Sequence, residues 1–305
     1  MRLIFAGTPD VAVPSLHRLL TSDHQVVAVL TREDAPLGRK RVLTPSPVAR
    51  AAEDAGIPVI KANRLTDEVT AAIADLDTDL GVIVAYGGLL REPLLSTPRH
   101  GWINLHFSLL PAWRGAAPVQ HALLAGDTLT GASVFQLVRE LDAGDLFGVL
   151  EHPIDEDATA GTLLAELAES GAGFLAGIVD DIADGSARAA PQTGSATLAP
   201  KLRIDDGRLD WTAPAHQVYN RFRGVTPEPG AHTTINGTRF KILDALPAPG
   251  TTLATGTVDR LDGRILIGTA TSALELLRVQ PAGKPAMAAS DWWRGLSHDQ
   301  PVRAE

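Results

Sequence analysis

The feature that most constrains the fold is a series of apolar runs in the first part of the chain, each separated from the next by a helix-compatible segment. These runs lie at residues 3–6, 26–30, 58–60 and 80–86, and further strand candidates lie at residues 102–106 and 133–138. Helix-compatible segments lie at residues 16–20, 48–55, 69–76 and 161–184. Strands that are apolar throughout are typical of parallel sheets covered by helices on both faces. We therefore predict a Rossmann-like, doubly wound α/β domain.

A second domain is indicated beyond residues 189–199, a stretch rich in Pro, Gly, Ser and Thr that is typical of a linker. After it, short strand candidates alternate with turn signals such as Asn236-Gly237 and Asp262-Gly263, which predicts a small β-barrel. The 305 residues are enough for two separate cores. We expect an α/β domain over residues 1–188, a linker over 189–205 and a C-terminal barrel over 206–305.

Composition excludes several classes of function. The chain has no Cys, which excludes disulfides and thiolate nucleophiles and fits a reducing cytoplasm. Its nine His show no metal-ligand spacing, so we expect no metal. No apolar run approaches the roughly 20 residues that span a bilayer, so we expect a cytoplasmic protein without a membrane partner. We also expect a monomer.

The charge is unevenly distributed. Residues 1–199 hold 14 Lys and Arg against 25 Asp and Glu, whereas residues 200–305 hold 13 against 11. The overall charge of −9 would argue against a nucleic-acid partner, because phosphate neutralisation needs clustered cations. The near-neutral second part leaves two interpretations open, RNA contact or an ordinary surface.

The first strand candidate ends in a glycine turn, Gly7-Thr8-Pro9-Asp10, that opens a helix. It lacks both the G-x-G-x-x-G pattern and the Walker lysine, which disfavours a dinucleotide-dependent dehydrogenase. A tight strand-to-helix turn is the first interpretation, and anion or substrate binding at the helix start is the second. The sequence assigns no role to Thr8 or Asp10.

Three polar side chains alternate along the strand candidate at residues 102–106 and just beyond it. Asn104, His106 and Ser108 would line one face if the extended geometry continued through Ser108. They lie toward the carboxyl end of the strand, where open α/β sheets bind ligands. Asp142, in the turn after the next strand, could contact the histidine across the sheet edge, although an isolated Asp in a turn is most often only a turn residue.

The side chains of Asn104, His106 and Asp142 suit acyl transfer to an amine. Attack on a formyl carbonyl makes an oxyanion, which N–H groups of Asn104 and His106 can stabilise. Asp142 could accept the proton of the amine, directly or through water, and orient His106. No G-x-S-x-G motif is present, so a covalent acyl-enzyme is not required.

With these residues, the sequence resembles the folate-dependent formyltransferase family over essentially the whole chain. The resemblance implies that Asn104, His106 and Asp142 are catalytic, that 10-formyltetrahydrofolate is the co-substrate, and that its pteridine lies between residues 84–89 and 137–142. It further implies an OB-like fold for the barrel. The tetrahydrofolate-binding segment of the family matches Ser108, Leu109, Leu110 and Pro111.

The tRNA-acting member of this family is matched by residues 5–10, 45–48 and 280–287. The resemblance implies that the chain formylates the α-amino group of methionyl initiator tRNA for translation initiation. That member carries a basic loop thought to engage the acceptor stem. Here the loop is one glycine shorter, and any of its three cations could take the role of the family arginine. The cations of this loop are Arg39, Lys40 and Arg41, and candidate phosphate contacts elsewhere are Lys201, Arg203, Arg221, Arg223 and Lys284.

Two other functions stay open at this point. The same trio could formylate an amino-sugar nucleotide, although the basic loop disfavours this. The chain could also be a non-catalytic RNA-binding protein, although retention of Asn104, His106 and Asp142 speaks against it.

Overall fold

The computed structural model describes residues 1–38, 40–297 and 301–305. The described chain forms two compact units. The first comprises Met1–Pro118, Leu129–Pro153 and Leu164–Ala199, and the second comprises Val119–Thr128, Ile154–Leu163 and Pro200–Glu305.

The first unit is built on a seven-stranded sheet and a separate two-stranded hairpin. Its strands are β1 (Arg2–Gly7), β2 (Gln25–Thr31), β3 (Ala35–Leu37), β4 (Val42–Thr44), β5 (Val59–Lys61), β6 (Leu80–Val84), β7 (Trp102–His106), β8 (Leu129–Gln136) and β9 (Leu146–Pro153). The large sheet has the order β5-β2-β1-β6-β7-β8-β9, and β3 pairs with β4. The pairs from β5 through β7 are parallel, which confirms the predicted Rossmann-like α/β fold.

The expectation of parallel pairing fails at one edge, because β8 runs antiparallel to both β7 and β9. Strand β8 is buried over most of its length, so its sequence resembles a central strand. Strand β9 alternates between exposed and half-buried positions, as an antiparallel edge strand does. A search for continuous apolar runs therefore does not find β9.

Helices connect or cover the strands of this unit. They are α1 (Val13–Leu20), α2 (Pro47–Asp54), α3 (Asp67–Ala74) and α5 (Ala160–Asp184), whereas α4 (Pro118–Ala125) belongs to the second unit except for Pro118. Two of them begin at side-chain caps, since the hydroxyls of Ser46 and Thr66 accept hydrogen bonds from Ala49 N and Val69 N. The predicted helices overlap α1, α2, α3 and α5, whereas α4 is an addition.

Helix α5 is the one helix among the described residues that is long and apolar enough, by length and composition, to cross a membrane. It instead lies close to the sheet. A Cβ placed on Gly171 would lie 3.2 Å from the Leu105 side chain, and a Cβ placed on Gly148 would lie 3.0 Å from the Phe174 ring. Half of its most apolar window is buried, as expected of a helix that covers a sheet.

The second unit contains an antiparallel sheet that closes on itself. Its elements are α6 (Ala215–Gly224), β10 (His232–Ile235), β11 (Thr238–Ala248), β12 (Thr257–Leu261), β13 (Arg264–Ile267), β14 (Ala273–Pro281), β15 (Met287–Ala288), α7 (Ala289–Arg294) and β16 (Val302–Arg303). The order is β10-β11-β14-β13-β12-β16, and a bridge between Ile235 on β10 and Ala304, the residue after β16, joins the two ends of the sheet. The predicted barrel is confirmed.

The predicted hairpin turns of the barrel are confirmed by their backbone angles. Asn236 and Gly237 have φ of 48° and 73°, and Asp262 and Gly263 have φ of 50° and 83°. Two consecutive residues in the left-handed region match the right-handed twist of the flanking strands. This geometry links β10 to β11 and β12 to β13.

One expectation for this unit is wrong. Arg223, a candidate phosphate contact, is buried on α6 with 6% of its surface exposed. Its guanidinium donates to Asn220 Oδ1 at 2.7 Å and to the carbonyl oxygens of Asp155 and Ala158 at 3.3 and 3.4 Å. Burial lowers the pKa of this guanidinium. Arg223 therefore holds the 155–158 loop to α6.

Candidate active site

Strand β7 brings Asn104 and His106 to one side of the sheet, because they are two residues apart on an extended strand. Both line a cavity of about 400 Å³ in the first unit. Asp142 lines the same cavity from the segment that follows β8. The structure thus brings together the three residues that the sequence predicts as catalytic.

His106 is held in one orientation by the chain that follows it. Its Nε2 is 2.8 Å from the carbonyl oxygen of Trp113, which can only accept, so Nε2 carries a proton. The edge of Phe135 packs against the ring, with 6.5 Å between the ring centroids. Only 7% of His106 is exposed. Burial lowers the pKa of the imidazole, and this outweighs the opposing effects of Asp142 and the Trp113 carbonyl. His106 is therefore neutral at neutral pH, with Nδ1 as an acceptor.

Asp142 faces the free nitrogen of that ring. Its Oδ2 lies 3.8 Å from His106 Nδ1 and accepts a hydrogen bond of 2.8 Å from Gly115 N. Its backbone has φ of 45°, in the left-handed region that few residues other than Gly adopt. A carboxylate at this distance stabilises the protonated imidazole. The pair can therefore accept a proton at Nδ1.

The side-chain amide of Asn104 is a hydrogen-bond donor that the fold does not use. Its carboxamide makes no hydrogen bond to another residue in the described part of the chain, while its side chain lines the cavity. Its backbone is fixed between Ile83 on β6 and Phe135 on β8. An amide N–H held on a rigid strand and free of protein partners is suited to stabilise an oxyanion.

The predicted folate-binding segment forms a turn directly after β7. The strand ends at His106, and Ser108 is fully buried, with its hydroxyl donating to Ala112 O at 2.6 Å. Ser133 on β8 donates to Ser108 O at 2.6 Å and accepts from Leu110 N at 3.1 Å. These bonds replace the extended geometry that would have aligned Ser108 with Asn104 and His106. The lining of the cavity includes none of Ser108, Leu109, Leu110 and Pro111.

The walls of the cavity are formed by two segments on either side of β7. One runs from Ala85 to Leu90 and the other from Leu137 to Asp142. Their apolar side chains include Leu89 and Leu141, which are 65% and 60% exposed. Exposed leucines beside a cavity are suited to cover the flat face of an aromatic ligand. Backbone groups of the same segments can hydrogen-bond to its edge.

The first glycine turn serves a structural purpose. A Cβ on Gly7 would lie 2.8 Å from the Phe5 ring and 2.9 Å from Val84 O, so only Gly fits there. The Thr8 hydroxyl donates to Tyr86 O at 2.9 Å. Asp10 lies in a short 3-10 helix that precedes α1. Of the two interpretations of this turn, the tight strand-to-helix connection is favoured.

The basic loop forms the hairpin of β3 and β4. Lys40 and Arg41 lie in its turn, where both are exposed, and Arg41 has φ of 49°. Arg39, the third predicted cation, lies outside the described residues. Leu37 and Val42, which flank the turn, are 65% and 60% exposed. The hairpin therefore presents cations and apolar side chains together.

Two features of the site are not visible to sequence reasoning. Trp113 acts through its backbone carbonyl, so its side chain carries no signal of that contact. Gln192 donates from Nε2 to the carbonyl oxygens of Asp142 and Gly144 at 2.8 and 2.9 Å, although composition places it in a linker. No group of three or more His, Cys, Asp or Glu side chains in residues 1–38, 40–297 and 301–305 could hold a metal ion.

Comparisons with known proteins identify the family of the chain. Residues 1–178 match the family model described as formyl transferase, and residues 201–297 match the formyl transferase C-terminal domain. A methionyl-tRNA formyltransferase of Leifsonia xyli subsp. xyli is 62% identical over 295 residues, with 97% of each chain covered. A methionyl-tRNA formyltransferase of Clavibacter sepedonicus is 59% identical over 303 residues, covering 97% of this chain and 98% of the relative.

A solved structure shares the fold at low identity. It is an N-formyltransferase from Helicobacter canadensis in complex with folinic acid and dTDP-3-aminofucose, with a TM-score of 0.69 and 17% identity. It covers 92% of this chain and 98% of its own. The matches to both domain models and to relatives of almost the same length show that the chain belongs to the formyl transferase family, together with the methionyl-tRNA formyltransferases.

Proposed function

We propose that the protein transfers the formyl group of 10-formyltetrahydrofolate to the α-amino group of methionyl initiator tRNA, for translation initiation. The observation that carries this proposal is the meeting of Asn104, His106 and Asp142 at one cavity, in a chain 62% identical to a methionyl-tRNA formyltransferase. Free amide and imidazole groups beside a carboxylate provide an oxyanion donor and a proton acceptor, the two functions that amine formylation needs.

The reaction begins with attack by the neutral amine on the formyl carbon. A C–N bond forms, the carbonyl electron pair moves onto oxygen, and Asn104 donates its amide N–H to that oxyanion. His106 Nδ1 is the acceptor for the proton that the attacking nitrogen loses, because Nε2 is already committed to Trp113 O. Asp142, 3.8 Å away, stabilises the imidazolium that results.

Collapse of the tetrahedral intermediate uses the same groups, and His106 now donates the proton that it accepted. The oxyanion re-forms its carbonyl, the bond between the formyl carbon and N10 breaks, and the electron pair remains on N10. The Nδ1–H of protonated His106 donates to the oxyanion before collapse and then protonates N10. The products are the formylated amine and tetrahydrofolate, and His106 returns to its neutral form. No covalent enzyme intermediate is required.

The folate co-substrate occupies the cavity between residues 84–89 and 137–142 in this proposal. The apolar rims at Leu89 and Leu141 support it, because a pteridine is flat and aromatic. Ser108, Leu109, Leu110 and Pro111 bind the folate in this proposal, from the turn that follows Phe107 in the cavity wall. Their buried turn leads the chain to Trp113, whose carbonyl orients His106.

The acceptor stem of the tRNA contacts the β3–β4 hairpin in this proposal. Lys40 and Arg41 are exposed in its turn, and Arg39 precedes them in sequence. Exposed cations of the second unit, namely Lys201, Arg203 and Lys284, supply further phosphate contacts. Local positive charge at these places allows RNA binding by a chain of net charge −9.

We further propose that the protein is a cytoplasmic monomer without a membrane partner. Its catalytic domain extends over residues 1–188, its linker over 189–205, and its tRNA-contacting barrel over 206–305; the first part of this linker, up to Ala199, packs as part of the first unit. The absence of Cys and the bacterial relatives that act on tRNA support the cytoplasmic location.

Formylation of charged initiator tRNA, measured with 10-formyltetrahydrofolate as donor, tests the function. We expect turnover by the wild-type protein, and its loss when Asn104 and His106 are both changed to Ala. Normal turnover by the double variant would contradict the mechanism. Formylation of an amino-sugar nucleotide, without formylation of the charged tRNA, would contradict the assigned acceptor.

The hairpin is tested by the salt dependence of tRNA affinity. Each phosphate contact that is lost should reduce the slope of log K against log salt by about 1. We expect a smaller slope for Lys40→Ala/Arg41→Ala than for the wild type. The matched control is Arg18→Ala/Arg50→Ala, which removes the same charge from exposed helix positions. Equal slopes for the two double variants would reject the role of the hairpin.

A further inference from the structure

The segment at residues 190–199, which composition predicts to be a linker, is paired with the chain that orients His106. Arg114 N donates to Thr197 O at 2.9 Å, and Ala199 N donates back to Arg114 O at 2.8 Å. Trp113 N donates to the Thr197 hydroxyl at 2.9 Å. The residue whose carbonyl holds His106 is therefore itself fixed by this segment, which we call the brace.

The brace also reaches the chain that carries Asp142, through one side chain. Gln192 Nε2 donates to Asp142 O at 2.8 Å and to Gly144 O at 2.9 Å. Gln192 Oε1 accepts from Arg114 Nε at 3.2 Å and Nη2 at 2.6 Å. Both amide hydrogens and the amide oxygen are thus engaged, and a single carboxamide joins the loop of Arg114 to the loop of Asp142.

The backbone at Asp142 needs such support. Its φ of 45° places a residue with a Cβ in the left-handed region, where the side chain crowds the following carbonyl oxygen. The carboxylate lies 3.8 Å from His106 Nδ1, so a small movement of the loop changes the interaction of the pair. Gln192 binds the carbonyl of the strained residue itself.

We propose that Gln192 is a positioning residue for formyl transfer, which holds Asp142 at the distance from His106 that proton acceptance requires. This inference rests on the proposed function. Gln192 is absent from the lining of the cavity, so it acts through Asp142 and not through contact with substrate.

The first test is a comparison of Gln192→Ala with Thr193→Ala in the formylation of charged initiator tRNA. Thr193 is the exposed neighbour and makes no side-chain hydrogen bond to the described residues. We expect Gln192→Ala to lower kcat on the order of 10- to 100-fold with KM for both substrates within about twofold, because misplacement of a catalytic group acts on the chemical step. Thr193→Ala should retain wild-type rates.

A second variant separates the two halves of the contact. Gln192→Glu keeps oxygens that can accept from Arg114 but loses both donors to the carbonyls of Asp142 and Gly144. It should therefore lose kcat as Gln192→Ala does. Full activity of Gln192→Glu would overturn the inference, since the contact with Arg114 alone would then suffice. Gln192→Glu also serves if Gln192→Ala fails to fold.

A double-mutant cycle shows whether the effect passes through Asp142. In an Asp142→Asn background, Gln192→Ala should add less than about a twofold loss, because residues that act as one unit are not additive. An additive loss would overturn the inference. If the wild-type protein forms no formylated tRNA, both proposals fall. If the wild type is active and Gln192→Ala equals it, only the role of Gln192 falls.

Discussion

The substitution Asp142→Asn tests the ion-pair geometry of the site most directly. It preserves the shape of the side chain and keeps an oxygen to accept from Gly115 N, but it removes the negative charge. The carboxylate lies 3.8 Å from His106 Nδ1. At an effective dielectric constant of about 20, unit charges at this distance attract each other by about 4 kcal/mol.

The expected loss of activity follows from this energy. Reorientation of the asparagine and entry of water recover part of the interaction. Loss of between half and all of it lowers kcat/KM on the order of 30- to 1000-fold. The direction is fixed by the chemistry, since the pKa of His106 falls further once the Asp142 charge that raises it is removed.

The assay is the initial rate of formyl transfer to charged initiator tRNA, with thermal unfolding measured alongside. Asp145→Asn is the matched control, because it makes the same chemical change on an exposed residue of the same loop. A rate for Asp142→Asn within threefold of the wild type, or an equal loss for Asp145→Asn, would refute the electrostatic argument.

Three further predictions concern stability and backbone geometry. Gly115→Ala should lower kcat on the order of 10-fold or more, because φ is 127° and the new Cβ would lie 2.7 Å from Ala199 O; steady-state rates with an unchanged KM would bear this out. The free energy of unfolding should fall as the pH drops below about 6.5, because the folded state binds the His106 proton more weakly than the unfolded state does. Urea unfolding of His106→Asn across the same pH range should show a weaker dependence, and an unchanged one would contradict the buried neutral imidazole. Tyr219→Phe should cost about 1 kcal/mol in urea unfolding, because its hydroxyl donates to Asp157 Oδ1 at 2.8 Å; no change would show that bond to be replaced by water.

Much of the first unit could be predicted because a strand that is buried on both faces is apolar throughout its sequence. The runs that include Leu3, Val29 and Val82 are apolar throughout, and each became a strand of the parallel part of the sheet. Strand β9 has no continuous apolar run, since one of its faces is solvated. The sequence therefore predicts the number of layers better than the direction of the edge strands.

Sequence reasoning singled out the polar side chains that line the cavity and missed the backbone groups that hold them. Asn104 and His106 can be recognised in the sequence because they are polar residues on an apolar strand. The Trp113 carbonyl is common to all residues, so no pattern could single it out. Gln192 lies in a segment of linker composition, and its partners are carbonyl groups 48 and 50 positions away in sequence. Such long-range contacts have no periodicity to detect.

The reversal of β8 has a consequence for the entropy of the chain. Because Gln136 at the end of β8 pairs with Ile103 near the start of β7, the chain leaves the sheet roughly 10 Å from His106, at three residues of strand rise. Without a helix or strand, it must cover that distance to bring Asp142 beside His106 and then come back to Leu146, which pairs with Phe135 at the end of β8. An irregular connection of this kind would sample many conformations on its own, and most of them would place Asp142 elsewhere. The Asp142 carboxylate thus sits on a connection with much conformational freedom to lose, and its position depends on the neighbouring chain that removes that freedom.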